Sequence, residues 1–286
     1  MTRRTCRTLV LLCTVWALST NAQDRYFDGL RYVDHGAGPA VLLIHGFTAD
    51  IERSWVETGI LPDLARDHRV VAFDLRGHGR SDKPHDPRAY DEIAHDAVRL
   101  LDFLGIPKTH VVGYSLGGII VAKLLATHPD RFLSAVLGGA AYRRSQSERA
   151  DRAADEAGRE IEGGVYRALL VSTAPTDEPP LGEEAILTRS RAIAARNDQR
   201  ALAALMRARR ALVVSDAQIA AVRVPSLAVV GAADPALERV KAMQARWPGL
   251  EVQVVPGATH PTVHPRGLPR RAEFRDAIRR HIERRH

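Results

Sequence analysis

Cys6 and Cys13 are the sequence's two cysteines, and both fall in its first 22 residues. Without a thiol, residues 23–286 can form no disulfide, carry no cysteine nucleophile and offer no thiolate to a metal. Aromatic residues make up 5% of the chain, which leaves little for an interfacial patch and argues against a lipase that works on a lipid surface. Lysine is scarce beside arginine, which bears on coding composition and not on chemistry. The 12 histidines are scattered, and the sequence has no HExxH, no paired-carboxylate motif, no GxxxxGK[ST] phosphate loop and no dinucleotide fingerprint. Neither a metal nor a cofactor is therefore expected.

The first 22 residues have a different character from the rest. Arg3, Arg4 and Arg7 precede an apolar run from Leu9 to Leu18, about half the length of a membrane span, and small residues Thr20 and Ala22 follow. The segment reads as a secretory signal peptide cleaved after Ala22, giving a secreted or periplasmic protein with no stable membrane insertion. Leu11 and Leu12 stand before Cys13, where lipid attachment needs a small residue. Removing three signal arginines from the formal charge of +7 leaves about +4, a modest value. The arginines of "RGLPRRAEFRDAIRRHIERRH" read as the outer face of a terminal helix, with Phe274, Ile278 and Ile282 as its buried stripe. No nucleic-acid partner is expected, since no binding motif accompanies the charge.

Hydrophobic residues form 45% and charged residues 26% of the 286 residues, enough for one large domain with its own core. Short β-rich runs alternate with helical ones, beginning with "LRYVDHG", "AVLLIHG", "RVVAFDLRG", "HVVGYS" and "LSAVLGGA", then "PSLAVVGAAD" and "EVQVVPGATH". Several are apolar on both faces, as in central strands of a parallel sheet with helices on each side. Between them, "YDEIAHDAVRLLDFLGI" places Ile93, Ala97, Leu100, Leu101 and Leu104 at helical spacing. The alternation breaks at residues 141–215, which include the loop "APTDEPPLGEE". The apolar residues of this stretch are too sparse for a core of its own, so it reads as a helical lid lying on the main sheet.

Chemistry concentrates at strand ends. Gly113-Tyr114-Ser115-Leu116-Gly117 follows the apolar strand "THVVG" and opens the apolar helix "GGIIVAKLLA", the strand-turn-helix setting of a nucleophile elbow. Upstream, "AVLLIHGFT" ends a strand at His45-Gly46-Phe47. The amides of Phe47 and Leu116 are the candidate pair for holding an oxyanion. His45 reads as structural, as do Asp74, Arg76 and His78 of "DLRGHGRSD", with Asp74 accepting hydrogen bonds that pin the turn. "LAVVGAADP" places Asp234 just past one strand, and "VQVVPGATHP" places His260 just past the next. Ser115, Asp234 and His260 then share one sheet edge, with His260 as base and Asp234 as the acid that orients it. His264 is the alternative base, farther from its strand.

In "HGF", "DLRGHGRSD", "GYSLGG" and the late acid and histidine, the chain resembles the α/β-hydrolase family, over nearly all of residues 23–286. The resemblance implies a mostly parallel, about eight-stranded sheet with helices on both faces and a helical lid (141–215) inserted before the last two strands. It also implies a serine hydrolase acting through an acyl-enzyme on a small ester-like substrate. Lactones, thioesters and carbon–carbon bonds stay open as targets, as does a non-catalytic binding protein of the same fold. Relatives that dehalogenate or open epoxides place aspartate where this chain has Ser115, and proline-releasing aminopeptidases place Trp where it has Leu116. The oligomeric state is left open.

Overall fold

The computed structural model describes residues 24–144, 147–262 and 264–284; the expected signal segment 1–22, with Cys6 and Cys13, lies outside them. Apolar residues at consecutive positions in the central strands serve two different cores, one on each side of a sheet. The strands are β1 (Arg25–Phe27), β2 (Leu30–His35), β3 (Ala40–Ile44), β4 (Arg69–Phe73), β5 (Thr109–Tyr114), β6 (Phe132–Gly138), β7 (Ser226–Gly231) and β8 (Leu250–Val255). They form one eight-stranded sheet in the order β1-β2-β4-β3-β5-β6-β7-β8. β1, β2 and β4 pair antiparallel in sequence, and every pairing from β4 to β8 is parallel.

The helices are α1 (Ile60–Leu64), α2 (His95–Phe103), α3 (Leu116–Thr127), α4 (Glu148–Glu162), α5 (Arg167–Ser172), α6 (Glu183–Ala194), α7 (Gln199–Arg207), α8 (Asp216–Ala221), α9 (Leu237–Gln244) and α10 (Ala272–Glu283). Leu42, Ile44, Val71, Phe73 and Val111 face the core that α2, α3, α8 and α9 cover. Their neighbours Val41, Leu43, Val70, Ala72 and Val112 face the other, closed by α1, α10 and the Ile51–Trp55 segment. The period of two in strands turns an unbroken apolar run into two buried faces. Phe274, Ile278 and Ile282 are fully buried on α10, while its Arg279 pairs with Asp63 and Asp67 across the surface.

Three local expectations are corrected. β1 is a strand that the sequence does not announce, because its Arg25 and Tyr26 are exposed. The helix expected to include Ile93 begins at His95, after a short 3-10 turn at Pro87–Tyr90; Ile93 is buried by the turn that precedes the helix. The inserted helices α4 to α7 do have a small core of their own, made by Ala157, Ile161, Tyr166, Leu202, Ala203 and Met206. Two of those residues are alanines and one is a single tyrosine, so composition undervalues the cluster. α7 faces both ways: Ala204 and Leu205 join the main core.

Candidate active site

The chain runs from β3 outward to β4 and then returns across β3 to start β5 on the other side. That reversal leaves a crevice at the carboxyl ends of β3 and β5, the place where open α/β sheets hold their ligands. There β3 is followed by His45-Gly46-Phe47, and β5 by Ser115.

Ser115 has φ 52° and ψ −112°, a backbone conformation that costs a non-glycine residue about 1–3 kcal/mol. The turn is fixed by its neighbours. A Cβ on Gly117 would stand 2.0 Å from the Ile44 carbonyl oxygen, so α3 can start this close to β3 only with glycine there. The Ser115 amide donates to the Gly138 carbonyl at 2.8 Å and its carbonyl accepts from Ile119 at 3.1 Å, which hold the turn from both sides. Gly46 backs onto the serine: a Cβ there would lie 3.3 Å from Ser115 Cβ. The oxyanion-loop candidate Phe47 follows Gly46 and lines the same cavity as Ser115, and Leu116 opens α3, where first-turn amides have no intrahelical acceptor.

His260 Nε2 lies 2.9 Å from Ser115 Oγ, and its Nδ1 lies 2.9 Å from Asp234 Oδ2. An ionised carboxylate only accepts, so Nδ1 carries the proton and Nε2 is left to accept from the serine hydroxyl. Asp234 is 2% and His260 8% exposed. The other carboxylate oxygen, Oδ1, takes the Ala236 amide at 2.7 Å, which fixes the acid against rotation. Three strands thus deliver Ser115, Asp234 and His260 to one point. His264 is elsewhere: its Nε2 pairs with Glu178 at 3.2 Å and its Nδ1 accepts from the Arg266 amide.

Two supports carry no signal in the sequence beyond their place in a loop. Gly139 (φ 58°) lets the backbone after β6 lie against the acid–base pair: a Cβ there would be 3.2 Å from both Asp234 Oδ2 and His260 Nδ1. The Tyr114 hydroxyl donates to the His260 carbonyl. Burial raises the Tyr114 pKa well above its ordinary value, so the phenol remains a donor.

The polar residues of "DLRGHGRSD" are scaffolding. Asp74 accepts from the Ile51 and Arg80 amides and from Arg31. Arg76 forks onto Asp96. His45 Nε2 accepts from the Leu75 amide at 2.9 Å while Nδ1 donates to the Gly46 carbonyl. His78 packs edge-on against His45 and Phe47. Burial lowers the pKa of both imidazoles, that of His78 to about 3, with repulsion from His45 adding to it; both are neutral packing elements.

Above Ser115 and His260 opens a cavity of about 730 Å³ between the sheet edge and the inserted helices. Ala150, Ala153, Ala154 and Ala157 present one small-residue face of α4 to it, which leaves the space open. Among the described residues no group of acids, histidines and cysteines could hold a metal ion, and no helix is long and apolar enough to cross a membrane.

The family described as the alpha/beta hydrolase fold matches residues 39–264. A dihydrolipoyllysine-residue acetyltransferase component of an acetoin cleaving system from Pseudomonas putida is 36% identical over 107 residues, 37% of this chain and 28% of that protein. The chain thus spans under a third of that relative's length. A thermophilic esterase from Thermogutta terrifontis, solved with malate bound, superposes with a TM-score of 0.72 at 24% identity, covering 90% of this chain and 94% of that one. An enol-lactonase from Burkholderia xenovorans superposes with a TM-score of 0.68 at 21% identity, covering 89% and 96%. At these identities the two structures establish a shared fold.

Proposed function

The chain belongs to the alpha/beta hydrolase fold family, and on that premise we propose that it is a serine hydrolase that cleaves a small carboxylic ester through an acyl-enzyme on Ser115. The observation that carries the reading is the hydrogen-bonded line from Ser115 Oγ through His260 to Asp234 at the floor of a cavity. Ser115 Oγ attacks the carbonyl carbon while its proton passes to His260 Nε2. The oxyanion is received by the Phe47 and Leu116 amides. As the bond to the alcohol breaks, His260 returns the proton to the leaving oxygen. Water then attacks the acyl carbon, gives its proton to His260, and the acid departs as Ser115 recovers its hydroxyl proton. Asp234 keeps Nδ1 protonated and stabilises the imidazolium formed in each half. A lactone presents the same acyl centre closed on its own alcohol, and the same residues would open it. With residues 1–22 read as an export signal, the proposal places this activity outside the cytoplasm.

Two measurements test the reading. Purified protein hydrolyses a short-chain nitrophenyl ester, and Ser115→Ala lowers kcat by about a thousandfold or more. A fluorophosphonate probe labels the wild type and fails to label His260→Ala, because the serine is then no longer activated. Equal hydrolysis by Ser115→Ala refutes the nucleophile, and a folded wild type that neither labels nor turns over is a binding protein.

A further inference from the structure

Five arginines line the cavity over Ser115 (Arg143, Arg144, Arg209, Arg239 and Arg246), and among the described lining residues there is no aspartate or glutamate. Two of the five share a single carboxylate from outside the lining. Asp216 takes Arg144 at 2.8 Å and Arg246 at 3.4 Å. Among the described residues the remaining three have no such partner. The Arg143 Nε is buried without a hydrogen-bond acceptor, and the acid whose charge reaches that side chain is Asp151, beyond ion-pair distance. Arg209 has Met206 Sδ at 3.3 Å as its contact, a weak acceptor with no charge. Burial pushes the Arg209 guanidinium down to about 10, and repulsion from Arg143 and Arg239 adds to that fall.

Such an arrangement is costly in an empty cavity. Guanidiniums withdrawn from water are normally paired or forked onto a carboxylate, and here like charges face one another instead. An anion arriving in the cavity would supply the missing acceptor, and the planar fork of arginine fits a two-oxygen anion. The position is also suited to a ligand that reaches Ser115. A Cβ on Gly139 would lie 3.2 Å from the His260 ring, so the backbone there runs beside it, and Arg143 follows four residues later, its Cα within about 14 Å of Gly139. The Arg143 backbone is in turn tied to the segment after α7, through the Val214 amide at 2.8 Å, close in sequence to Arg209.

We infer that the substrate of the Ser115 site is an ester that bears a carboxylate apart from the bond that breaks, and that Arg143 and Arg209 bind this carboxylate. The inference rests on the serine-hydrolase reading for where the bond breaks, but the anion site can be measured without turnover. In the first arm, kcat/KM is compared for mono-4-nitrophenyl glutarate and neutral 4-nitrophenyl pentanoate, which match in length. The wild type prefers the hemiester by tenfold or more at low ionic strength. That preference falls by about tenfold in Arg209→Met and in Arg143→Met, a ratio that general damage to folding or to Ser115 would leave standing.

In the second arm, glutarate binding to Ser115→Ala is measured by calorimetry and is lost in the Ser115→Ala/Arg209→Met double variant. Ester hydrolysis with no preference for the hemiester and no glutarate binding overturns the anion site and leaves the hydrolase reading intact. Arginine-dependent glutarate binding by a protein that hydrolyses neither ester does the reverse. Tighter binding of inorganic phosphate than of glutarate overturns the assignment to a carboxylate.

Discussion

Ser115 combines a functional side chain with a backbone that no ordinary residue adopts freely, and the two can be separated. Its φ of 52° with ψ of −112° is strain held in place by Gly117 against Ile44 on one side and by the Gly138 carbonyl on the other. Ser115→Ala and Ser115→Gly both delete the hydroxyl, but only glycine relaxes the dihedral. The relief is about 1–3 kcal/mol, opposed by the extra freedom glycine gives the unfolded chain, about 0.4–1 kcal/mol. Relief wins: Ser115→Gly unfolds about 1 kcal/mol later than Ser115→Ala in chemical denaturation at neutral pH. An alanine variant as stable as the glycine variant would show that the elbow is not strained. At this scale the sequence is unevenly informative. Ser115, Asp234 and His260 stand at the ends of recognisable strands, so their meeting is legible. Gly139 and Tyr114 are not, because close approach of a backbone and a hydrogen bond to a carbonyl leave no motif. Nor are Arg143 and Arg209: in a sequence rich in arginine, nothing distinguishes a guanidinium facing a cavity from one facing water.

At the level of elements, the loops after β3 and β4 are tied together by histidines. His45 bridges its own loop to the Leu75 amide, and His78 packs edge-on against both His45 and Phe47, with ring centroids 5.2 and 5.7 Å away. The interior holds these rings neutral, with His78 at about 3, whereas in the unfolded chain histidine titrates near 6.5. Below that value the unfolded state binds a proton that the folded state refuses, so stability is fully present above about pH 6.5 and is lost as pH falls toward 3. From pH 7 to pH 5 the loss from His78 alone is roughly 2 kcal/mol. His78→Gln, destabilised or not at pH 7, should therefore show a shallower fall over this interval in urea melts. Parallel slopes in variant and wild type would mean that His78 is accessible to protons in the fold. Central strands are the elements best announced by sequence, because burial on both faces leaves them apolar throughout. β1 has no such signature, being three residues long with two exposed, and α2 begins later than its apolar spacing implies because a turn can bury Ile93 as well as a helix can.

For the whole molecule, the division that matters lies between the sheet, which positions Ser115, Asp234 and His260, and the inserted helices, which close the cavity above them. The insertion has its own cluster around Tyr166 and Leu202, while α7 also sends Ala204 and Leu205 into the main core. A defect on the Leu202 face should therefore loosen the cap without unfolding the sheet. Leu202 and Leu124 are both fully buried, and truncating either to alanine opens a cavity costing about 2–5 kcal/mol. The difference is in where the cost appears. Leu124 sits on α3 within the main core, so Leu124→Ala lowers the stability of the entire sheet. Leu202→Ala instead draws on local opening, which has its own smaller free energy. In native-state hydrogen exchange, Leu202→Ala should speed the amides of α4 and α7 by about thirtyfold or more and leave those of β3 and β5 nearly unchanged. Equal acceleration in helices and strands would show that cap and sheet unfold as one unit, and the cavity over Ser115 could then open only by unfolding the protein. Separate acceleration would make the cap the part that admits substrate, with the strained serine and its partners held rigid beneath it.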